Sequence, residues 1–165
     1  MNAEEVFHLL GLAPHPGEGG YFRETYRSPL VVPASALPAC YDGGRSFGTA
    51  IYYLVTPDSF SALHRVRGDE VFHFYLGDTA EMLLIRPEGA ETVLLGNDLA
   101  AVCRPQFVVP GGVWQGLRLR EGGRFALLGT TMAPGFDFAD FEAGEREQLV
   151  REYPAHAELI TRYTR

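Results

Sequence analysis

The sequence predicts a mainly β fold, an antiparallel sandwich or barrel that carries short helices at its two ends. Between residues 47 and 131, runs rich in aliphatic and aromatic residues recur about every ten residues. Turn residues separate these runs, and the chain of 165 residues contains 19 Gly and 11 Pro. Because the runs follow one another too closely for crossover helices, we expect the strands to pair antiparallel.

The chain begins with a predicted helix and then a strand. Asn2 can cap a helix over residues 2–10, Glu5 occupies the capping-box position and Gly11 can end the helix. The stretch 21–30 interleaves arginines with aromatic residues and is predicted to be a strand. The later strands are expected within FGTAIYYLVT (47–56), SFSALHRV (59–66), DEVFHFYLG (69–77), AEMLLIR (80–86), ETVLLG (91–96), QFVVPGGVWQGLRL (106–119) and RFALLGTTM (124–132).

After the last strand the pattern predicts a loop and two helices. We interpret APGFDFADFE (133–142) as a packed flap at the barrel rim, whose phenylalanines could close a pocket. Helices are predicted over 143–152 and 154–163. No stretch has the composition of a linker. We therefore expect a single domain, with a β core at about 21–131 and a C-terminal loop and helices at 133–165.

Composition argues against several classes of protein. The formal net charge is −7 and no basic stripe is present, which makes nucleic acid an unsuitable partner. The longest apolar runs, such as AIYYLV (50–55), are too short to cross a bilayer, and the acidic N-terminus does not resemble a signal peptide. Cys40 and Cys103 are best explained as reduced thiols. We expect a cytoplasmic protein that binds neither nucleic acid nor membranes.

Polar residues crowd one predicted hairpin, HRVRGDEVFHFYLG (64–77). His64 belongs to one strand, an Arg-Gly-Asp turn follows, and Glu70 starts the next strand. A His and a Glu six residues apart across such a turn can point into the same interior. Phe72 and Phe74 follow Glu70 on the same face of the strand, because side chains alternate between the two faces.

The spacing of these residues resembles the two sequence motifs of the cupin superfamily, G-x5-H-x-H-x(3,4)-E-x6-G and G-x5-P-x-G-x2-H-x3-N. The residues that match are His64, Glu70, Gly77, Pro110 and Gly112. Val66 stands at the position of the second histidine of the first motif. Gln115 replaces the histidine of the second motif, and Leu119 replaces its asparagine.

A wider resemblance covers nearly the whole chain. The segments that carry it are GEGGYFRETYRS (17–28), TAIYYLV (49–55), HRVRGDEVFHFYLGD (64–78), RPQFVVPGGVWQ (104–115) and APGFDFADFE (133–142). Together they resemble a cupin subfamily of largely uncharacterised bacterial and fungal proteins, some of them similar in architecture to deoxysugar 3,5-epimerases. The resemblance implies a cupin-type double-stranded β-helix, that is, a jelly-roll barrel. It also implies a homodimer and a small-molecule ligand such as a sugar or nucleotide sugar. One departure is Gly17, which separates Pro16 from Glu18 and leaves the placement of Glu18 open.

The resemblance also raises a metal hypothesis. Typical cupins hold Fe, Mn, Ni, Zn or Cu with three imidazoles and one carboxylate. Of those ligands His64 and Glu70 remain, and Gln115 offers only a neutral amide oxygen, a poor ligand for a first-row ion. A site of His64, Glu70 and Gln115 would indicate a metal-dependent oxygenase, isomerase or lyase.

A second hypothesis uses the same residues without a metal. A His beside a carboxylate in a water-poor barrel forms an acid–base pair, because the carboxylate fixes the imidazole tautomer and raises its basicity. Such a pair suits proton abstraction next to a carbonyl, the chemistry of epimerases and isomerases. Here His64 and Glu70 are catalytic and a tyrosine returns the proton. The sequence leaves four candidates for that tyrosine: Tyr21, Tyr52, Tyr53 and Tyr75.

A third hypothesis is a binding module without catalysis. Arg23, within YFRETYR, would favour an anionic or sugar-like ligand, although an arginine in an exposed ion pair would produce the same pattern. The predicted substrate-binding residues are Arg23, Tyr52, Phe72, Phe74 and Gln115.

Overall fold

The structure is a computed structural model that describes residues 1–165, and it confirms the mainly β fold. The strands are β1 (Ala13–Pro14), β2 (Tyr21–Arg27), β3 (Val31–Val32), β4 (Arg45–Ser46), β5 (Thr49–Val55), β6 (Ser61–Val66), β7 (Glu70–Gly77), β8 (Ala80–Arg86), β9 (Gly89–Leu95), β10 (Gln106–Val109), β11 (Trp114–Leu119), β12 (Ala126–Met132) and β13 (Phe141–Ala143). The helices are α1 (Ala3–Leu10), α2 (Arg146–Glu152) and α3 (Ala157–Arg162), with 3-10 turns at Ala34–Ala36, Phe138–Asp140 and Pro154–His156.

The strands form two main antiparallel sheets that face each other. The order in one sheet is β1-β2-β5-β12-β7-β10, and in the other it is β13-β6-β11-β8-β9. A small third sheet pairs β3 with β4. From β5 to β7 the chain changes sheet at each strand, and it does so again from β9 to β12. This alternation produces the jelly-roll barrel that the sequence implied.

Three apolar clusters hold the layers together. Thirteen buried residues fill the space between the sheets, among them Phe72, Phe74 and Leu128. On the outer face of the five-stranded sheet, α2 and α3 cover Trp114, which is therefore a core residue. The helix α1 covers one end of the outer face of the six-stranded sheet.

The N-terminal helix agrees with its sequence signals, whereas the two helices near the C-terminus are shorter than predicted. Asn2 and Glu5 form the predicted capping box of α1, and Gly11 ends the helix in the left-handed conformation. The predicted helix 143–152 begins only at Arg146, because residues 141–143 pair with β6 as β13. The longest helix, α1, has 8 residues, and no helix is long and apolar enough to cross a membrane.

Candidate active site

A cavity opens between the two sheets at the end of the barrel where β2, β6 and β7 meet the segment after β12. Its volume is about 90 Å³. Six titratable side chains reach its wall: His15, Glu18, Glu24, Arg27, His64 and Glu70. The apolar part of the wall consists of Phe22, Ile51, Val66, Met132, Phe136, Phe138 and Phe141. A small apolar chamber with a few charged groups is typical of a ligand site.

His64 is held from both ring nitrogens. Its Nδ1 lies 2.8 Å from the carbonyl oxygen of Ala62, and its Nε2 lies 2.8 Å from Oε2 of Glu18. A carbonyl can only accept and an ionised carboxylate can only accept, so both nitrogens carry a proton and the ring is an imidazolium. Burial by itself lowers the pKa of His64, but the charge of Glu18 and the hydrogen bond to it outweigh burial and raise the pKa to about 9. Phe141 stacks on the ring, with 5.3 Å between centroids.

Glu18 reaches His64 from the turn between β1 and β2. The two glycines after it adopt φ values of 94° and 71°, which only glycine tolerates well, and this turn brings Glu18 to the cavity wall. Nδ1 of His15 accepts the backbone N–H of Glu18 at 3.2 Å. Burial raises the pKa of Glu18, but the His64 imidazolium more than offsets burial and leaves the pKa lowered. Glu18 is therefore the ionised partner of His64.

Glu70 makes a different set of contacts. Oε2 of Glu70 accepts a hydrogen bond of 2.7 Å from Nε2 of Gln115, the residue that pairs with His64 across β6 and β11. Burial and the negative charge of Glu18 raise the pKa of Glu70, although His64, Thr130 and Gln115 act in the opposite direction. The sequence predicted that His64 pairs with Glu70, and this prediction is wrong: the carboxylate bonded to His64 is that of Glu18.

The other residues that the sequence predicted for the site lie in different parts of the structure, and not all of them line the cavity. Gln115 is buried beside Glu70, and its Oε1 has no hydrogen-bond partner. Phe72 and Phe74 lie in the barrel core and do not line the cavity. Arg23 and Tyr52 do not line it either, which corrects their prediction as binding residues. Because Phe22 and Glu24 point inward, the alternation of β2 turns Arg23 outward, where it donates to the Leu10 carbonyl at 2.7 Å.

None of the four candidate tyrosines lines the cavity, so the prediction of a tyrosine acid is not supported. Tyr21 packs against Phe7 of α1, and Tyr52 packs edge-on against Tyr75 on the outer face of the six-stranded sheet. Tyr53 is buried, and its hydroxyl donates to the carbonyl of Gly19 at 2.5 Å. Tyr53 therefore secures the turn that carries Glu18.

A bulge in β2 brings an arginine to the cavity that the sequence did not single out. The pairing of β2 with β5 shifts register between Glu24 and Tyr26. The shift leaves Tyr26 exposed and aims Arg27 at the cavity. Arg27 donates two hydrogen bonds to Glu24, of 3.0 and 2.7 Å, and a third to the Phe136 carbonyl. The mouth of the cavity is thus lined by an ion pair.

The segment after β12 covers the cavity, in agreement with its predicted role as a flap. Phe136, Phe138 and Phe141 contribute to the wall. Asp140, within the same segment, accepts two hydrogen bonds from the Arg45 guanidinium, of 2.7 and 2.6 Å. Both side chains are 4% exposed, so the pair anchors the flap from below.

The residues present do not fit the metal site of typical cupins. Both nitrogens of His64 are already engaged by Ala62 and Glu18. Gln115 presents its amide N–H group, not its oxygen, to Glu70. No group of three or more His, Cys, Asp or Glu side chains is arranged to hold a metal ion. The hypothesis of a site made by His64, Glu70 and Gln115 therefore disagrees with the observed geometry.

Comparisons with known proteins agree with the fold and the motifs. Residues 4–144 match the family model described as Cupin superfamily (DUF985). Uncharacterized protein YML079W of Saccharomyces cerevisiae is 33% identical over 141 residues, which is 79% of this chain and 70% of the yeast protein. The crystal structure of protein SO0799 from Shewanella oneidensis is 36% identical with a TM-score of 0.89, over 100% of this chain and 98% of that chain.

A more distant structure shows the fold alone. Oxalate decarboxylase from Bacillus subtilis is 16% identical with a TM-score of 0.54, over 92% of this chain and 37% of that chain. From the family match, the motifs and the jelly-roll barrel together, we conclude that the chain belongs to the DUF985 family of the cupin superfamily.

Proposed function

We propose that this cupin binds a small carbonyl compound in the cavity and catalyses a proton transfer on it, as a metal-independent isomerase or epimerase. The observation that carries the proposal is the pair of carboxylates on one cavity wall with pKa values shifted in opposite directions. His64 lowers the pKa of Glu18 and favours its ionised form, whereas burial raises the pKa of Glu70 and favours its protonated form. Such a separation assigns a base and an acid to two residues of the same type.

In the proposed reaction Glu18 takes a proton from the carbon next to the carbonyl group of the substrate. Glu70 donates its proton to the carbonyl oxygen, where negative charge develops, and an enediol results. Glu70, now ionised, then removes the proton from the other enediol hydroxyl, and Glu18 delivers its proton to the former carbonyl carbon. The carbonyl group has thereby moved to the neighbouring carbon, both carboxyl groups are restored to their starting state, and no net oxidation occurs. His64 stabilises the ionised form of Glu18 through the 2.8 Å contact and therefore acts as a positioning and charge-balancing group.

The dimensions of the cavity restrict the substrate. A volume of about 90 Å³ admits a few water molecules or a small organic molecule. A sugar-sized compound, or the reactive end of a nucleotide sugar, would enter past the Arg27–Glu24 pair, with the remainder outside the mouth. The aromatic flap would exclude water from the reacting atoms.

The test is incorporation of solvent deuterium into a panel of keto-sugars and small hydroxy-ketones, followed by NMR. We expect exchange with the wild-type protein and a loss of roughly 100-fold or more in both Glu18→Gln and Glu70→Gln. Glu91→Gln, which removes an exposed carboxylate paired with Arg86, is the matched control and should retain the activity. Ligand binding without any exchange would favour a binding module instead. Equal activity in all three variants would refute the assignment.

A further inference from the structure

A groove rich in arginine lies apart from the cavity, where the turn after β11 meets the end of α3. It is lined by 12 residues, none of which lines the cavity, and its volume is about 600 Å³. Four of these residues are arginines: Arg118, Arg120, Arg162 and Arg165. The single acidic residue in the wall is Glu121.

This concentration of positive charge stands out in an acidic protein. The whole chain has 21 Asp and Glu against 14 basic residues, all of them Arg. Arg118 and Arg165 donate to backbone carbonyls, which hold the guanidinium groups without neutralising them. Arg162 comes no closer than 3.9 Å to a carboxylate, that of Glu81, and its side chain is 63% exposed. Most of the positive charge in the groove is therefore uncompensated within the protein.

Two of the guanidinium groups are held in place by one aromatic ring. Arg118 lies 4.1 Å and Arg165 lies 4.8 Å from the centre of the Phe60 ring. Arg165 also donates to the carbonyls of Glu18 and Phe60, each at 2.8 Å. Two like charges that share one ring repel each other, and an anion in the groove would offset that repulsion.

We propose that this groove binds a phosphate or diphosphate group. The planar, permanently charged guanidinium forms paired hydrogen bonds with phosphate oxygens, and an ordered cluster of such groups suits an anion of two or more charges. The groove is larger than a phosphate ion, so it also has room for part of a phosphorylated small molecule. The site stands on its own observations and does not depend on the proposed reaction in the cavity.

The test is calorimetric titration of the full chain with inorganic pyrophosphate at constant ionic strength, set with sodium chloride. We expect saturable binding to wild type and affinity weakened by at least about tenfold in the double variant Arg120→Gln/Arg162→Gln. Both side chains are exposed, and circular dichroism verifies the fold. The control, Arg86→Gln/Arg151→Gln, removes the same charge from ion pairs elsewhere on the surface and should bind as wild type does.

Further arms identify the anion. Tighter binding of ADP than of pyrophosphate would indicate that the rest of a nucleotide occupies the groove, whereas equal affinity would indicate recognition of the phosphate group alone. Citrate binding as tightly as pyrophosphate would overturn the phosphate class. The site itself is refuted by an absence of saturable binding, by an unchanged affinity in the groove variant, or by equal losses in the groove variant and the control.

Discussion

Replacement of Glu18 with Gln should convert His64 from an imidazolium to a neutral imidazole at pH 7. His64 is 4% exposed, and burial by itself disfavours the charged ring. The negative charge of Glu18 is the main influence that keeps the ring protonated. Without that charge, the remaining effect of Glu70 should not outweigh burial, and we expect the pKa of His64 to fall below its ordinary value of 6.5.

The size of the effect follows from the pKa of about 9 in the intact site. The difference between that value and the ordinary 6.5 corresponds to about 3 kcal/mol of preference for the protonated ring. This preference is also a contribution to stability that depends on pH. For His64, whose pKa is raised by folding, the contribution is complete below pH 6.5 and is lost as the pH rises through about 9.

For Glu18 the sign is reversed, since folding lowers its pKa below the ordinary 4.5. Its contribution is present above pH 4.5 and is lost as the pH falls through the lowered value. The ion pair therefore stabilises most between about pH 4.5 and 6.5 and weakens on either side. In that window we expect Glu18→Gln to lower the free energy of unfolding by about 3 kcal/mol, with a smaller loss above pH 9.

The assay combines an NMR titration of the imidazole nitrogens with urea denaturation at several pH values. The control is Glu142→Gln, which removes an exposed carboxylate bonded to Arg65 on the strand next to His64. In the control, the titration of His64 should match wild type. The reasoning is refuted if His64 of wild type titrates below pH 7, or if Glu18→Gln leaves its titration unchanged.

Four further predictions concern the surroundings of the site. Asp140→Asn removes the buried charge partner of the Arg45 guanidinium and leaves only the exposed Asp42, and urea denaturation should show a loss of about 3 kcal/mol. Gly19→Ala should lower the melting temperature more than Gly122→Ala, because both have positive φ but only at Gly19 would a Cβ meet backbone, 2.6 Å from the Phe60 carbonyl. The stability of Glu70→Gln relative to wild type should increase as the pH rises. Burial raises the pKa of Glu70, so the wild-type protein loses stability when this carboxyl group ionises, whereas Gln cannot ionise. Parallel curves of stability against pH for the two proteins would contradict this. Elemental analysis after incubation with Mn²⁺ or Zn²⁺ and dialysis should find well under one metal ion per chain, because the donor set is incomplete.

Much of the fold could be predicted from local sequence patterns. Alternation along β7 places Glu70, Phe72 and Phe74 on the inner face, and all three are buried as expected. The same rule separates Gln115, which points inward, from Trp114, which packs under the C-terminal helices. These features depend only on neighbours a few residues apart, and the spacing of turn residues then fixes how the strands follow one another.

The contacts that the sequence did not reveal all depend on irregular backbone. Glu18 lies in a loop with no periodicity, 46 positions before its partner His64, and only the closed barrel brings them together. The sequence signal was weak but present: an acidic residue followed by two glycines that take positive φ. Arg27 reaches the cavity in place of Arg23 because of one bulge, which strict alternation cannot anticipate.

The changed motif residues and the missed Glu18 have a common explanation. Where typical cupins carry imidazoles, this chain has Val66 in the cavity wall and Gln115 bonded to Glu70. A metal ion in such a barrel would supply positive charge beside the carboxylates. Here the proton on His64 balances the charge of Glu18, and burial raises the pKa of Glu70 and so favours its neutral form. Protons on side chains thus take the place of the metal charge, with His64 as the fixed counter-ion of Glu18 and Glu70 as the group whose proton the proposed reaction transfers.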